Sequence, residues 1–170
     1  INVSGIENIP AKSGGIIVAN HISMLDAALI LATTKRNVRF VMHQKIFNIP
    51  ILGFFFKKLN MIPTPIKNTK EGLAEFNLRC KKEVEDGHLI CIFPEGELTR
   101  SGQLSAFKKG IEHLAAFIKA PVIPIHMDNI IGTPLSFKPG THYKYGFNFK
   151  TLQKRILITI GYNLTKIETE

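Results

Sequence analysis

Short apolar runs rich in β-branched residues recur along the chain, separated by polar or amphipathic stretches. Residues 16–19, after Gly14-Gly15, are the first such run and predict a buried strand. Residues 38–42, 88–93, 122–126 and 155–160 predict four more, the run at 88–93 leading into Pro94-Glu95-Gly96. Residues 24–33 are rich in Ala and Leu and read as a helix, with Ser23 as N-cap and Asp26 at N3 in a capping-box-like arrangement. Residues 51–59, after Pro50, predict a short Phe-rich helix ending in Lys57-Lys58, and residues 61–66 are held extended by Pro63 and Pro65. Residues 69–86 are amphipathic, with Leu73, Phe76, Asn77, Cys80 and Val84 near one face, and Gly87 ends them. Residues 107–120 predict another helix. Residues 132–148, rich in Gly, Pro and aromatics, predict an irregular surface loop. Strands alternating with helices, joined by connections long enough for crossovers, indicate an α/β fold with a mixed, largely parallel sheet flanked by helices.

A length of 170 residues suits one domain, and 45% hydrophobic residues suffice for a core, which excludes a wholly disordered chain. Lys and Arg number 22 against 13 Asp and Glu, a formal charge of +9 that predicts an anionic partner. Nucleic acid is not expected, because no helix-turn-helix, zinc-finger or RNP-like pattern accompanies the charge. Cys80 and Cys91 are the only cysteines, so no disulfide framework is indicated, and Cys91 lies inside a predicted strand. No run of about 18 apolar residues occurs, so no transmembrane helix is expected. The start, Ile1-Asn2-Val3-Ser4-Gly5, has neither an initiator Met nor a signal-peptide pattern, and predicts a domain excised from a longer chain.

His21 and Asp26 are five residues apart. On one regular helix that spacing separates them by roughly 140°, so they would not meet. If His21 occupies the turn after the first strand and Asp26 the first helical turn, the carboxylate can fold back to the imidazole. A carboxylate on Nδ1 fixes the tautomer and leaves Nε2 as a base. Such a site would stand at the carboxyl end of a strand, where α/β sheets bind ligands. Taken alone, the pair also reads as a helix-cap acid beside a turn residue.

Phe93-Pro94-Glu95-Gly96-Glu97-Leu98-Thr99-Arg100-Ser101-Gly102 is a second candidate. Gly96 and Gly102 allow unusual backbone angles, and Pro94 stops the strand. Arg100 with Thr99 and Ser101 offers a fork of donors and hydroxyls suited to phosphate, and Lys108 and Lys109 follow closely. A polar loop with Glu95 and Arg100 in a surface pair is the plainer reading. His43, His88, His113, His126 and His142 are scattered without zinc-ligand spacing, so no metal is expected.

These residues resemble the glycerolipid acyltransferases, the lysophosphatidic-acid-acyltransferase-like (PlsC-type) family. Asn20-His21-Ile22-Ser23-Met24-Leu25-Asp26 is similar to its NHx4D block, Phe93-Pro94-Glu95-Gly96 to its FPEG block, and Val122-Ile123-Pro124-Ile125 to its later V-I-P-V block. More narrowly, the FPEG segment through Leu104, with Phe107 and Gly110 and then Asp128-Asn129-Ile130-Ile131-Gly132, is similar to the acyltransferase domain of bifunctional 2-acylglycerophosphoethanolamine acyltransferase/acyl-ACP synthetases. The resemblance implies an αβ sandwich and transfer of an acyl group from acyl-ACP or acyl-CoA, as co-substrate, to a lysophospholipid hydroxyl. It makes His21 the general base, Asp26 its orienting acid, and Glu95-Gly96 part of the acceptor and oxyanion region. It requires no cofactor. Oxyanion donors are expected among backbone N–H groups near Gly96 or at the helix start after Ser23.

Two departures bear on the acceptor. The wider family places Thr and Arg directly after the FPEG Gly, whereas here Glu97 and Leu98 intervene before Thr99-Arg100. Its second block usually supplies an Arg, whereas residues 61–68 contain none and Lys67 is the nearby cation. Both favour a lysophospholipid phosphodiester such as 2-acylglycerophosphoethanolamine. The alternatives are a 1-acylglycerol-3-phosphate acyltransferase and a catalytically silent lipid- or carrier-binding module.

Lipid substrates imply contact with membrane phospholipid, and the basic surface would also suit an acyl carrier protein. The expected location is peripheral, at the cytoplasmic face of a membrane. Residues 46–56 are the most apolar stretch, flanked by Lys45 and by Lys57-Lys58. Phe54, Phe55 and Phe56 are expected either to border an acyl-chain groove at a lipid surface or to cover one face of the sheet.

Overall fold

The protein, seen in a computed structural model, is described over residues 1–67, 69–101, 103–133, 136–137 and 155–164. The loop expected over 132–148 falls mostly outside these residues, as do Gly102 and His142. A seven-stranded sheet runs through the described chain in the order β1-β7-β6-β2-β5-β3-β4. Its strands are β1 (Asn2–Ser4), β2 (Gly15–Ala19), β3 (Val38–Met42), β4 (Ile62–Pro63), β5 (Leu89–Ile92), β6 (Val122–Asp128) and β7 (Leu157–Ile160). All neighbouring pairs are parallel except β6 and β7, which run antiparallel. The sheet is thus mixed and mostly parallel, as the alternation of strands and helices predicts.

Strands β2 and β5 are central and covered on both faces, which explains their near-continuous apolar sequences. Ile17, Ala19, Phe40, Leu89 and Cys91 point to one face, where Ile30 of α1 (Asp26–Thr34) and Phe47 of α2 (Gln44–Phe47) join them. Ile16, Ile62 and Ile90 point to the other, packed with Cys80 and Val84 of α4 (Lys70–Glu85) and Leu114 and Ile118 of α5 (Gly110–Ile118). The short α3 (Leu52–Lys58) follows α2. The alternating faces of the strands thus sort the core into two layers between sheet and helices.

Three boundaries differ from expectation. Helix α1 starts at Asp26 rather than residue 24, and Leu25, not Ser23, precedes it without a side-chain cap. The Asp26 carboxylate folds back onto the amides of Ile22 and Ser23, which keeps those residues in a turn. Helix α5 starts at Gly110 rather than 107, because the Lys108 N–H donates to Pro94 O at 2.9 Å and holds that segment against the preceding loop. On α4 the buried residues are Cys80 and Val84, while Leu73 stays exposed.

Strands β2, β3, β4, β5 and β6 run the same way, so the loops after their carboxyl ends gather on one edge of the sheet. The turn at 20–25 after β2 and the loop at 93–109 after β5 meet there.

Candidate active site

Asp26 gathers the turn after β2 around one oxygen. Its Oδ2 accepts the Ile22 N–H at 2.7 Å and the Ser23 N–H at 2.9 Å, and lies 2.8 Å from His21 Nδ1. A carboxylate oxygen in that position can only accept, so Nδ1 carries the proton and Nε2 the lone pair. Asp26 is fully buried, whereas the His21 side chain is 22% exposed. The imidazole is therefore partly open to solvent and the carboxylate that holds it is not. The fold-back expected from the five-residue spacing is the one found.

The loop after β5 holds His21 from both sides of its backbone. The His21 N–H donates to Glu95 Oε1 at 2.8 Å, and the His21 carbonyl accepts the Thr99 N–H at 2.8 Å. The imidazole stacks on Phe93, with centroids 4.0 Å apart and planes 16° from parallel, and Phe93 rests in turn on Phe40. On the other side of the turn, the Asn20 amide bonds both backbone groups of Met127 at the end of β6.

Glu95, placed by the resemblance in the acceptor region, has both oxygens engaged with backbone. Besides His21, it accepts the Ser105 N–H through Oε2 at 2.9 Å. Its carboxylate ties the His21 turn to the β5–α5 loop while also lining a cavity of about 140 Å³ with Asn20, Thr99, His126 and Asp128. That volume lies below the roughly 300–1,000 Å³ of sites for drug-sized ligands, so it suits a small polar group rather than an acyl chain. Thr99 is buried, and its hydroxyl donates to Gln103 O at 2.8 Å.

Several of the backbone donors expected for an oxyanion already donate within the site. Gly96 N–H reaches Phe93 O at 3.0 Å, Ile22 and Ser23 serve Asp26, Leu25 N–H reaches Ser23 Oγ at 3.2 Å, and Asp26 N–H reaches Ser23 O at 3.1 Å. The close turns that build the His–Asp pair consume these amides.

Gly96 sits at φ +74°, and a Cβ there would overlap the ammonium of Lys108. The glycine both permits the left-handed backbone and lets the Lys108 side chain lie across the loop. Lys108 is the residue that sequence reasoning underweighted, because its approach to Gly96 depends on the path of the loop between β5 and α5. Arg100 is exposed, with its guanidinium 5.8 Å from the centroid of Phe137. Phe137 follows Ser136, which bridges to Ser23, so Arg100 lies near the His21 turn. Lys67 is exposed four residues beyond β4, on the same sheet edge, and no described contact joins it to His21.

The α3 phenylalanines divide. Phe54 and Phe55 are 58% and 54% exposed, whereas Phe56 packs on the core layer that also holds Phe93. Lys58 Nζ lies 4.8 Å from the centroid of Phe54. No described helix is long and apolar enough to cross a membrane. Cys91 is fully buried, and burial, with the charge of Asp26 adding, pushes its thiol well above the usual range. Burial likewise pushes Cys80 up to about 12, with Arg79 opposing and Glu83 adding. Both are core thiols. His43 caps α2, accepting the Lys45 N–H at 3.1 Å, and His88 lies 3.0 Å from Glu83.

A protein-family model described as "Acyltransferase" matches residues 1–128 of this chain. The chain belongs to the acyltransferase family. Its motifs and its relatives agree on the PlsC-type glycerolipid branch. The chloroplastic 1-acyl-sn-glycerol-3-phosphate acyltransferase of Arabidopsis thaliana is 32% identical over 74% of this chain and 35% of its own length. The 1-acyl-sn-glycerol-3-phosphate acyltransferase of Saccharomyces cerevisiae is 30% identical over 98% of this chain and 54% of its own. The crystal structure of PlsC, the 1-acyl-sn-glycerophosphate (LPA) acyltransferase of Thermotoga maritima, superposes with a TM-score of 0.71 at 24% identity, covering 95% of this chain and 59% of that one. That match shows the shared acyltransferase fold. The chain spans between about a third and about half the length of these curated relatives.

Proposed function

We propose that this domain transfers a fatty acyl group from an acyl thioester to the free hydroxyl of 1-acylglycerol 3-phosphate. The observation that carries the proposal is the 2.8 Å contact between buried Asp26 Oδ2 and His21 Nδ1, which leaves Nε2 as the other nitrogen of a partly exposed imidazole. His21 Nε2 takes the proton of the acceptor alcohol as its oxygen attacks the thioester carbonyl. The tetrahedral intermediate then collapses, the C–S bond breaks, and the imidazolium returns the proton to the departing thiolate. Asp26 stabilises the imidazolium in between. The alcohol is the nucleophile, so no covalent enzyme intermediate forms.

The phosphomonoester acceptor is favoured by the names of the relatives and by the cations beside the site. Lys108 against Gly96 and Arg100 near the His21 turn would answer a phosphate, and would compensate for the Arg that residues 61–68 lack. Lys67, on the same sheet edge, would add to their field. The sequence favoured 2-acylglycerophosphoethanolamine, and that acceptor stays as the second reading on the strength of the missing Arg. The donor is acyl-ACP or acyl-CoA, and the +9 charge suits either an acidic carrier or an anionic lipid surface. Phe54 and Phe55, flanked by Lys45, Lys57 and Lys58, would bring the domain to the cytoplasmic face of a membrane as a peripheral protein.

The test is acyl transfer from labelled acyl-ACP and acyl-CoA to 1-acylglycerol 3-phosphate and to 2-acylglycerophosphoethanolamine on vesicles, with His21→Ala alongside. Transfer to the monoester that falls roughly 10²–10⁴-fold in the variant supports the proposal. Transfer to the ethanolamine lipid alone moves the acceptor to the second reading. Folded protein without any transfer points to a silent binding module.

A further inference from the structure

Asn20 is the residue at which β2 leaves the sheet. Up to Ala19, β2 pairs with β6 through backbone, Ala19 standing opposite Ile125. Asn20 continues the pairing with its side chain: Nδ2 donates to Met127 O at 2.8 Å, and Oδ1 accepts the Met127 N–H at 2.8 Å. Asn20 is 8% exposed and Met127 is fully buried. A carboxamide carries a donor and an acceptor side by side, the pair that a peptide group offers, so it can fill a rung of the ladder while its own backbone turns away.

The next residue is His21. Its backbone anchors, Glu95 and Thr99, both come from the loop after β5, on one side of β2. Asn20 ties the turn to β6, on the other side. Without that tie the turn keeps its bonds to the β5 loop and the Ser23–Ser136 bridge, but the residue next to His21 loses its hold on β6. We infer that Asn20 is a positioning residue for acyl transfer, acting through His21: its clasp on Met127 sets where Nε2 points relative to the acceptor hydroxyl. The inference rests on the proposed role of His21 as base. Asn20 itself offers both polar groups to Met127 and needs no contact with substrate.

Asn20→Asp is the sharpest probe, because it keeps the size and the acceptor oxygen but replaces the donor by an oxygen facing Met127 O. Asn20→Ser removes both contacts without adding charge. Misplacement of a reacting group by about 1 Å can cost roughly 10²-fold. In each folded variant we expect kcat to fall roughly 10–100-fold while KM for both substrates stays within about twofold. The His21 Nδ1–H proton resonance, read by NMR on ¹⁵N-histidine-labelled protein, should shift or broaden through exchange. Combined with His21→Ala, Asn20→Asp should cause no further loss, because the two act as a unit. If His21→Ala is inactive but a folded Asn20 variant keeps its kcat, or changes KM alone, the positioning role falls while the base survives. If His21→Ala keeps normal turnover, the base reading falls first, and the double variant shows it. If both Asn20 variants fail to fold, the clasp is structural and the inference is overturned.

Discussion

Glu95 holds the peptide nitrogen of His21 at 2.8 Å with a carboxylate whose other oxygen holds Ser105. One buried acid thus fastens the turn that carries the base to the loop that leads to α5. Gln at this position would present one acceptor and one NH₂ group, and the NH₂ would face a backbone N–H. Hydrogen bonds to a charged group contribute roughly 1.5–3 kcal/mol each, and a buried N–H left unpaired costs roughly 1–3 kcal/mol. We expect Glu95→Gln to lower stability by about 1–3 kcal/mol and Glu95→Ala by more. Both should depress kcat in the folded fraction. Chemical denaturation read beside kinetics below the melting transition checks this. A Gln variant with unchanged midpoint and kcat would contradict the clamp.

Gly96 is required for its φ of +74°, and the flexible end of the Lys108 side chain lies over it. Gly96→Ala adds the strain of a Cβ in the left-handed region, roughly 1–2 kcal/mol, and pushes the ammonium aside. Lys108→Ala leaves the backbone alone and removes the charge together with the stem that lies over Gly96. The expected pattern is a raised KM for a phosphomonoester acceptor in both variants, with lost stability in Gly96→Ala alone. Steady-state kinetics against thermal unfolding separates the two effects.

The central strands were readable because they are buried on both faces, so Ile16-Ile17-Val18 and Leu89-Ile90-Cys91-Ile92 spell apolar runs. Strand β1 was not readable: its three residues are all exposed and pair along one edge, which leaves no apolar alternation. The His21–Asp26 pair was legible because a turn–helix junction brings residues five apart together within one local segment. Partners far apart in the chain were not. Asn20 meets Met127 across 107 residues, a contact that depends on β2 and β6 being neighbours, and Lys108 reaches Gly96 through the path of the long β5–α5 loop. The start of α1 was misplaced because a capping box and a folded-back Asp place the same residue types at nearly the same spacing.

Burial keeps both thiols protonated. Cys80 is raised from 9.0 to about 12, and burial also raises Cys91 well above the usual thiol value. The native thiols should resist alkylation at pH 8, and both should react after denaturation, because the thiolate is the nucleophile. The raised values also set a sign for stability. Below pH 9 both states hold the thiol proton, and between 9.0 and about 12 the unfolded chain loses it first. The unfolded state then binds fewer protons, so stability falls as pH rises through that window. Thiol counting with and without denaturant, and unfolding midpoints from pH 8 to 11, check the two parts. Rapid native labelling of Cys91 would contradict its placement in the core beneath Asp26.

The two sides of α3 make a test that separates surface from core. Phe54 and Phe55 project outward beside Ile51 and Leu52, whereas Phe56 packs inward. Removing an exposed phenylalanine costs the folded state less, because more than half of its surface stays in water on folding. Truncating an inward one gives up burial and opens a cavity, an effect of roughly 3–5 kcal/mol for a fully buried Phe and less for the half-buried Phe56. We therefore expect Phe54→Ser and Phe55→Ser to keep the unfolding midpoint within about 0.5 kcal/mol and to weaken sedimentation with anionic vesicles. Phe56→Ser should lower the midpoint. Lys57→Ser and Lys58→Ser should weaken vesicle binding at low salt more than at high salt, since juxtamembrane cations contribute about 1 kcal/mol each and are screened within a Debye length. If Phe54→Ser and Phe55→Ser bind vesicles as the parent does, the patch serves something other than a lipid surface. Acyl-chain-length preference measured on the same variants then decides whether it borders the acyl groove.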